Sequence, residues 1–234
     1  MNFINFCKKL IPDNIIFFLK KSSILNKKFF GLNELDRKVS KHINYNDGFF
    51  VELGANDGIT QSNTLHFEKF KNWRGILIEP TKDKFDQCVK SRSKNNFFYN
   101  CACVSNEFKK DTIELIYSNL RTVTFDKKNL VNSIEHVKKE DLNFYQNHKQ
   151  FSAQAKTLNF ILKKSGAPKL IDFLSLDTEG FEIEVLKGVD LNEYSFKYIL
   201  IESKKFNLKN DFLIKNNYQL LEKFLPHDYL YIKR

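Results

Sequence analysis

The sequence predicts an α/β fold: a mostly parallel sheet with helices on both faces, closed by an antiparallel C-terminal hairpin. Three observations predict it. Residues Gly48-Phe49-Phe50-Val51-Glu52-Leu53-Gly54-Ala55-Asn56-Asp57-Gly58 form an apolar run that ends abruptly in glycines, an amide and an acid. Phe49, Phe50, Val51 and Leu53 leave no polar face, as expected of a parallel strand covered on both sides. Strand-like runs then alternate with helix-like stretches, the order that builds such a sheet. Finally, Tyr218 to Leu225 and Tyr229 to Ile232 flank Pro226-His227-Asp228, which reads as a hairpin.

Length and composition bound the rest. At 234 residues with 42% hydrophobic content and 24 Phe, the chain can bury one good core. Cys7, Cys88, Cys101 and Cys103 show no metal or disulfide spacing, so a reduced, cytoplasmic setting is the default. The net charge of +10 is uneven: residues 1–46 carry nine Lys/Arg against three acids, a net +6. No stretch reaches the roughly 18 apolar residues of a membrane span, and Lys8 and Lys9 interrupt the first apolar stretch, so no secretory signal is visible. Phe3, Ile4, Cys7, Leu10 and Ile11 share one helical face. Two readings stand for residues 1–30: peripheral contact with an anionic membrane, or packing against the domain. The expected organisation is a basic, partly helical extension over 1–46 and a domain over 47–234.

Taken in order, Asn33 to His42 reads as a helix leading into the first strand. Gly54 and Gly58 let the backbone turn and approach a ligand. Thr60, Ser62, Asn63 and Thr64 offer N-caps for a helix carrying Leu65, Phe67, Phe70 and Trp73. The run Gly75-Ile76-Leu77-Ile78-Glu79-Pro80 is a second strand ending in an acid, 25 residues beyond Gly54. A carboxylate there is placed to accept hydrogen bonds from both hydroxyls of a ribose. Asp83 to Arg92 reads as a helix with Phe85, Cys88 and Val89 inward, and Phe97 to Val104 as a third strand. Thr112 to Tyr117 reads as an added strand. The polar stretch Lys127 to Gln150 lacks a clear period and makes 111–154 an insertion, either a lid facing the substrate or a disordered surface loop. Thr157 to Ser165 reads as a helix closed by Gly166. Ile171 to Asp177 is a strand delivering Asp177, Glu179 and Gly180 to the edge that holds Glu52 and Glu79. Phe181 to Leu186 is a short helix, and Tyr198 to Glu202 the fifth strand.

The glycine spacing argues against a dinucleotide fingerprint, because Asn56 stands where the second glycine of G-x-G-x-x-G belongs and Gly58 comes early. The remaining pattern, Glu52-x-Gly54-x-x-x-Gly58, resembles the first motif of class I S-adenosylmethionine-dependent methyltransferases. Five stretches in order, residues 49–58, Gln61-Ser62-Asn63-Thr64, residues 73–80, Ile171-Asp172-Phe173-Leu174-Ser175-Leu176-Asp177-Thr178-Glu179-Gly180 and Val185-Leu186-Lys187-Gly188, resemble the FkbM-type methyltransferases. His227-Asp228-Tyr229 fits a branch of that family.

The resemblance implies a Rossmann-like class I methyltransferase sheet, S-adenosylmethionine as cofactor, and O-methylation of a small-molecule or glycan acceptor. It implies cofactor contacts from Glu52, Gly54, Ala55, Asn56 and Gly58 at the methionine end, from Glu79 at the ribose, from Cys101 and Ala102 at the adenine, and from Asp177 beside the transferring methyl. Catalytic candidates are His227, Asp228 and Asp177. Histidine titrates near neutral pH, and Asp228 beside it can orient the ring. Asp177 and Glu179 alone do not make a metal site, and His42, His66, His136 and His148 lack ligand spacing, so no metal is expected. A nicotinamide-dependent oxidoreductase and a non-catalytic nucleotide-binding module are the competing readings. Nucleic acid is disfavoured as a partner because the excess charge lies in the N-terminal extension and not among the cleft motifs. Oligomeric state is not encoded in any of these features.

Overall fold

A computed structural model describes residues 27–118, 121–124, 149–202 and 206–234. The amphipathic face expected over residues 1–26 and the expected lid over 125–148 lie outside the described residues.

Seven strands form the central sheet: β1 (Phe49–Leu53), β2 (Arg74–Ile78), β3 (Phe97–Tyr99), β8 (Leu170–Leu176), β9 (Ser195–Glu202), β10 (Tyr218–Lys223) and β11 (Asp228–Lys233). Their order is β10-β11-β9-β8-β1-β2-β3. Pairings β1 with β2, β1 with β8, β2 with β3 and β8 with β9 are parallel; β11 is antiparallel to both β9 and β10. The chain therefore moves outward from β1 to β3, then returns to β8 on the other side, leaving a crevice at the carboxyl ends of β1 and β8 where such sheets bind ligands. A second, four-stranded sheet has the order β4-β7-β5-β6. Its strands are β4 (Ala102–Val104), β5 (Thr112–Ser118), β6 (Arg121–Thr124) and β7 (Lys149–Thr157).

Period-2 alternation decides what β1 buries. Phe49, Val51 and Leu53 face a core shared with α4 (Leu158–Lys164) and α5 (Glu182–Leu186), while Phe50 faces a core shared with α1 (Leu35–Val39), α2 (Leu65–Lys71) and Trp73. The helix α3 (Lys82–Ser91) adds Cys88 to the second core, and α6 (Phe206–Lys215) adds Leu213 to the first. Thr157 caps α4 by accepting from the Phe160 N–H, and Leu158, Ile161 and Leu162 are fully buried beneath it. Leu35, Val39 and Ile43 also lie in the core, so residues 35–43 pack as part of the sheet's cover.

Several elements differ from the sequence reading. The expected third strand is two strands in two sheets: Asn100 donates to the Glu79 and Pro80 carbonyls and bends the chain, so β3 pairs with β2 and β4 with β7. Val89, expected inward, is 39% exposed. The expected helix over Asn33 to His42 shortens to α1, because Asn33 and Glu34 take left-handed backbone angles, φ 51° and 55°. The end of the expected insertion is strand β7, and α6 lies where the sequence showed only Leu213 and Ile214 before a turn.

Beneath β1 lies a buried ion network. Glu52 sits on the Phe50 face and accepts from Ser62 Oγ (3.0 Å), the Asn63 N–H (2.9 Å), Thr64 Oγ1 (2.6 Å) and Arg92 Nη1 (3.1 Å). Arg92, with no side-chain exposure, also donates from Nε to Glu68 (2.8 Å), from Nη2 to Thr64 Oγ1 (2.9 Å) and from Nη1 to the Gly58 carbonyl (3.3 Å). Burial alone lowers the guanidinium's pKa, but the charges of Glu68 and Glu52 outweigh it and leave it raised. Replacing Arg92 with leucine strands two carboxylates; we expect a loss of about 3–5 kcal/mol in urea unfolding. A loss under about 1 kcal/mol would show the network to be dispensable.

Candidate active site

The carboxyl edge of the sheet collects the acids that end its apolar strands. After β1 the chain turns through Gly54 (φ +78°), where a Cβ would collide with the carbonyl oxygen of Asp177 just beyond β8. Gly58 (φ +79°) is required by packing, since a Cβ there would meet Ser91 Oγ and Arg92 at the end of α3. The two glycines thus bring protein against protein at these points. Between them, the Asn56 N–H donates to Glu79 Oε2 (2.9 Å) and Asp57 accepts from the Ile59 and Thr60 N–H groups.

A first cavity opens along this edge. Gly54, Asn56 and Asp177 line one end, Glu79 the middle, and Cys101, Ala102 and Cys103 the other, with Ile78, Leu115 and Phe181 supplying apolar walls. Glu79 is 5% exposed, and burial raises its pKa although the Thr81 and Asn56 N–H groups hold its two oxygens at 2.8 and 2.9 Å. The Thr81 side chain adds a third hydrogen bond, which leaves the carboxylate part of its acceptor capacity. Asn56 Oδ1 is buried and has no hydrogen-bond partner. The Cys103 thiol is pushed up by its hydrogen bond with Cys101 and by burial, so it stays protonated at neutral pH.

A second cavity lies on the far side of Asp177. It shares Gln61, Asp177 and Glu179 with the first and is walled by Glu202, Pro226, His227 and Asp228 on one side and Leu32, Asn33 and Leu35 on the other. Strand register accounts for the acids: Asp228 is directly opposite Glu202, and Leu176, just before Asp177, is opposite Ile201. Desolvation and the charges of Glu202, Glu179, Glu182 and Asp228 push the Asp177 carboxyl well above the ordinary carboxylate range. Burial raises Asp228 as well, opposed by the charges of His227 and Lys38. Glu182 accepts from the Gly180 N–H (2.6 Å) and braces the 178–180 turn, where Glu179 is left-handed (φ 51°).

Of the residues singled out in the sequence, Gly54, Asn56, Glu79, Cys101, Ala102 and Asp177 meet in the first cavity, and Asp177, His227 and Asp228 in the second. Glu52, Ala55 and Gly58 reach neither wall. Glu52 is engaged with Arg92 and the 62–64 turn, Ala55 is in the core, and Gly58 is packed on α3. The sequence reading missed Gln61 and Glu202. Glu202 carried a usable signal, because it ends an apolar strand as Glu79 and Asp177 do. Gln61, left-handed at φ 61°, opens the Gln61-Ser62-Asn63-Thr64 stretch, which marks the turn but not a place at the cavities. No group of three His, Cys, Asp or Glu among the described residues is arranged to hold a metal ion. Among those residues no helix is long and apolar enough to cross a membrane.

Comparison with known proteins places this edge in context. The family model of the methyltransferase FkbM domain matches residues 52–232. The structure of M. capricolum TrmK in complex with the natural cofactor product S-adenosyl-homocysteine is similar with a TM-score of 0.42 at 10% identity, covering 84% of this chain. This chain spans 65% of that protein's chain. A fibrillarin/Nop5p complex is similar with a TM-score of 0.37 at 11% identity, covering 80% of this chain and 73% of that one. No curated protein sequence matches. With the family match running from Glu52 in β1 to Ile232 in β11, the chain belongs to the FkbM methyltransferase family, whose methyl donor is S-adenosylmethionine.

Proposed function

We propose that the protein transfers a methyl group from S-adenosylmethionine in the first cavity to a hydroxyl oxygen of a glycan or other natural product in the second. The observation that carries this reading is that the two cavities meet at Asp177 and Glu179. The residues of the first cavity fit the donor. The acceptor capacity that remains on Glu79 suits a ribose hydroxyl, the orphaned Asn56 Oδ1 suits a donor from the methionine ammonium, and the lining at Cys101 and Ala102 suits a base.

When bound, S-adenosylmethionine supplies a methyl group already activated by its sulfonium. What remains for the protein is alignment, exclusion of water and removal of one proton. A carboxylate oxygen of Asp177 is the group we assign to take the acceptor hydroxyl's proton, because its raised pKa brings it closer to the working pH. His227 and Asp228 face it across the cavity and hold the acceptor. Among the described residues lining this cavity are Asp177, Glu179, Glu202 and Asp228 but no lysine or arginine. Such a lining favours a hydroxyl-rich acceptor over a phosphate-bearing one. A cytoplasmic setting belongs to the same reading and rests on cysteines without disulfide spacing, while peripheral membrane contact through residues 1–30, of which Phe29 and Phe30 pack on the domain, rests on the net +6 of residues 1–46.

Two outcomes test these roles. Glu79→Ala is expected to weaken S-adenosylmethionine binding by roughly 1.5–3 kcal/mol in calorimetry. The wild-type affinity is expected to fall on acidification from a pH above the ordinary carboxylate range, since protonation of the raised Glu79 carboxyl removes acceptor capacity for the ribose. Unchanged affinity in a folded variant would remove Glu79 from the donor site. In labelled-methyl transfer to glycan extracts, the rate is expected to rise with pH as Asp177 ionises. Asp177→Asn is expected to lower the turnover about 10²–10⁴-fold and abolish that limb, whereas His227→Ala keeps it. A limb lost with His227 and kept without Asp177 would exchange their roles.

A further inference from the structure

The family match begins at Glu52, yet one wall of the second cavity is made of residues that precede it. We propose that residues 30–36 form the outer lip of the acceptor site and select the acceptor, a proposal that rests on the two-cavity reading above. Leu32 and Asn33 carry it. Leu32 is 52% exposed beside the cavity, an apolar surface with water on it that an apolar face of the acceptor would cover. Asn33, also exposed there, offers an amide that can both donate to and accept from a hydroxyl.

The lip is fixed from several directions. Asp36, fully buried, accepts from the Phe30 N–H (2.7 Å) and the Arg37 N–H (3.0 Å), closing residues 30–36 into a compact loop. Gly31 forms a parallel backbone bridge with Gln61, one of the three residues common to both cavities, and presses against Asn63 so closely that a Cβ would collide with its Oδ1. Phe30 packs on Ile59 and Leu65, and one residue earlier Phe29 stacks on His66 at 4.6 Å. The lip is thus tied to the 59–66 turn, the same turn that the Glu52–Arg92 network holds from below. Within it, Asn33 and Glu34 occupy consecutive left-handed conformations. Such conformations in non-glycine residues store strain, and the packing around them keeps it in place. Asn56, Gln61 and Glu179, three of the other left-handed non-glycine residues, line the cavities as Asn33 does.

The test uses the full chain, tritiated S-adenosylmethionine and a glycan extract titrated as acceptor. Leu32→Ala removes the apolar contact, and Asn33→Gly removes the amide while keeping a residue at ease in the left-handed region. Each is expected to raise the half-saturating amount of extract by about tenfold, while calorimetry gives the wild-type dissociation constant for S-adenosylmethionine. Half-saturation equal to wild type in both variants would overturn the proposal alone. Wild-type protein that binds S-adenosylmethionine but labels no glycan would overturn the parent reading and the lip with it. A weakened S-adenosylmethionine affinity in both variants would also overturn it, by assigning the segment to the donor side.

Discussion

The pairing of Arg92 with Glu52 and Glu68 is the constraint on which the rest of the structure depends. A carboxylate in the middle of a fully buried strand is unfavourable unless a cation and hydrogen-bond donors meet it. Here one guanidinium at the end of α3 meets two carboxylates, two hydroxyls and a carbonyl, joining β1, the 58–64 turn and α2. That junction sets the height of the turn above the sheet. Gln61 and Asn63 stand at the second cavity because Ser62 and Thr64 are held beneath it, and the lip at residues 30–36 rests on the same turn. The motif glutamate therefore acts as a foundation for both cavities, without facing either.

Above that foundation, topology gathers negative charge. Parallel strands deliver their carboxyl ends to one edge, so the acids that end β2, β8 and β9 arrive together, and the antiparallel β11 adds Asp228 opposite Glu202. Burial and the like charges placed around it shift Asp177 upward, whereas Asp228 is raised by burial alone. For stability this arrangement is unfavourable. In the proposed reaction the same crowding brings a carboxylate towards the pH at which it can take a proton from a hydroxyl. Glu79 is treated differently, because two backbone N–H groups and the Thr81 side chain hold it. One edge thus carries a binding carboxylate and a charge-crowded one, distinguished by their partners.

Much of this was legible in the sequence. The strands β1, β2, β8 and β9 announced themselves as apolar runs, and Glu79 and Asp177 as the acids that stop two of them. Glu52 was legible as a motif residue but its direction was not, because period-2 alternation places it on the Phe50 face, where only a partner 40 residues away could explain it. Arg92 itself sits in a polar stretch and reads as a helix end. The break between β3 and β4 depends on Asn100 reaching the Glu79 and Pro80 carbonyls, a contact between segments with no local signature. Strand β7 alternates weakly, with alanines as its buried residues, and α6 buries Leu213 amid lysines and asparagines. Residues 33–36 of the lip read as the start of a helix, since nothing in Asn33-Glu34 signals left-handed backbone without its tertiary anchors. What sequence conveys well here is local periodicity; what it hides is long-range polar pairing.

The most direct measurement of the central claim, one donor cavity opening onto one acceptor cavity at Asp177, is a crystal structure of the protein with S-adenosyl-homocysteine. The ribose hydroxyls are expected on Glu79, the base beside Cys101 and Ala102, and the sulfur directed towards Asp177 and the second cavity. A nucleoside bound away from Glu79, or a sulfur directed away from the wall shared by the two cavities, would contradict it.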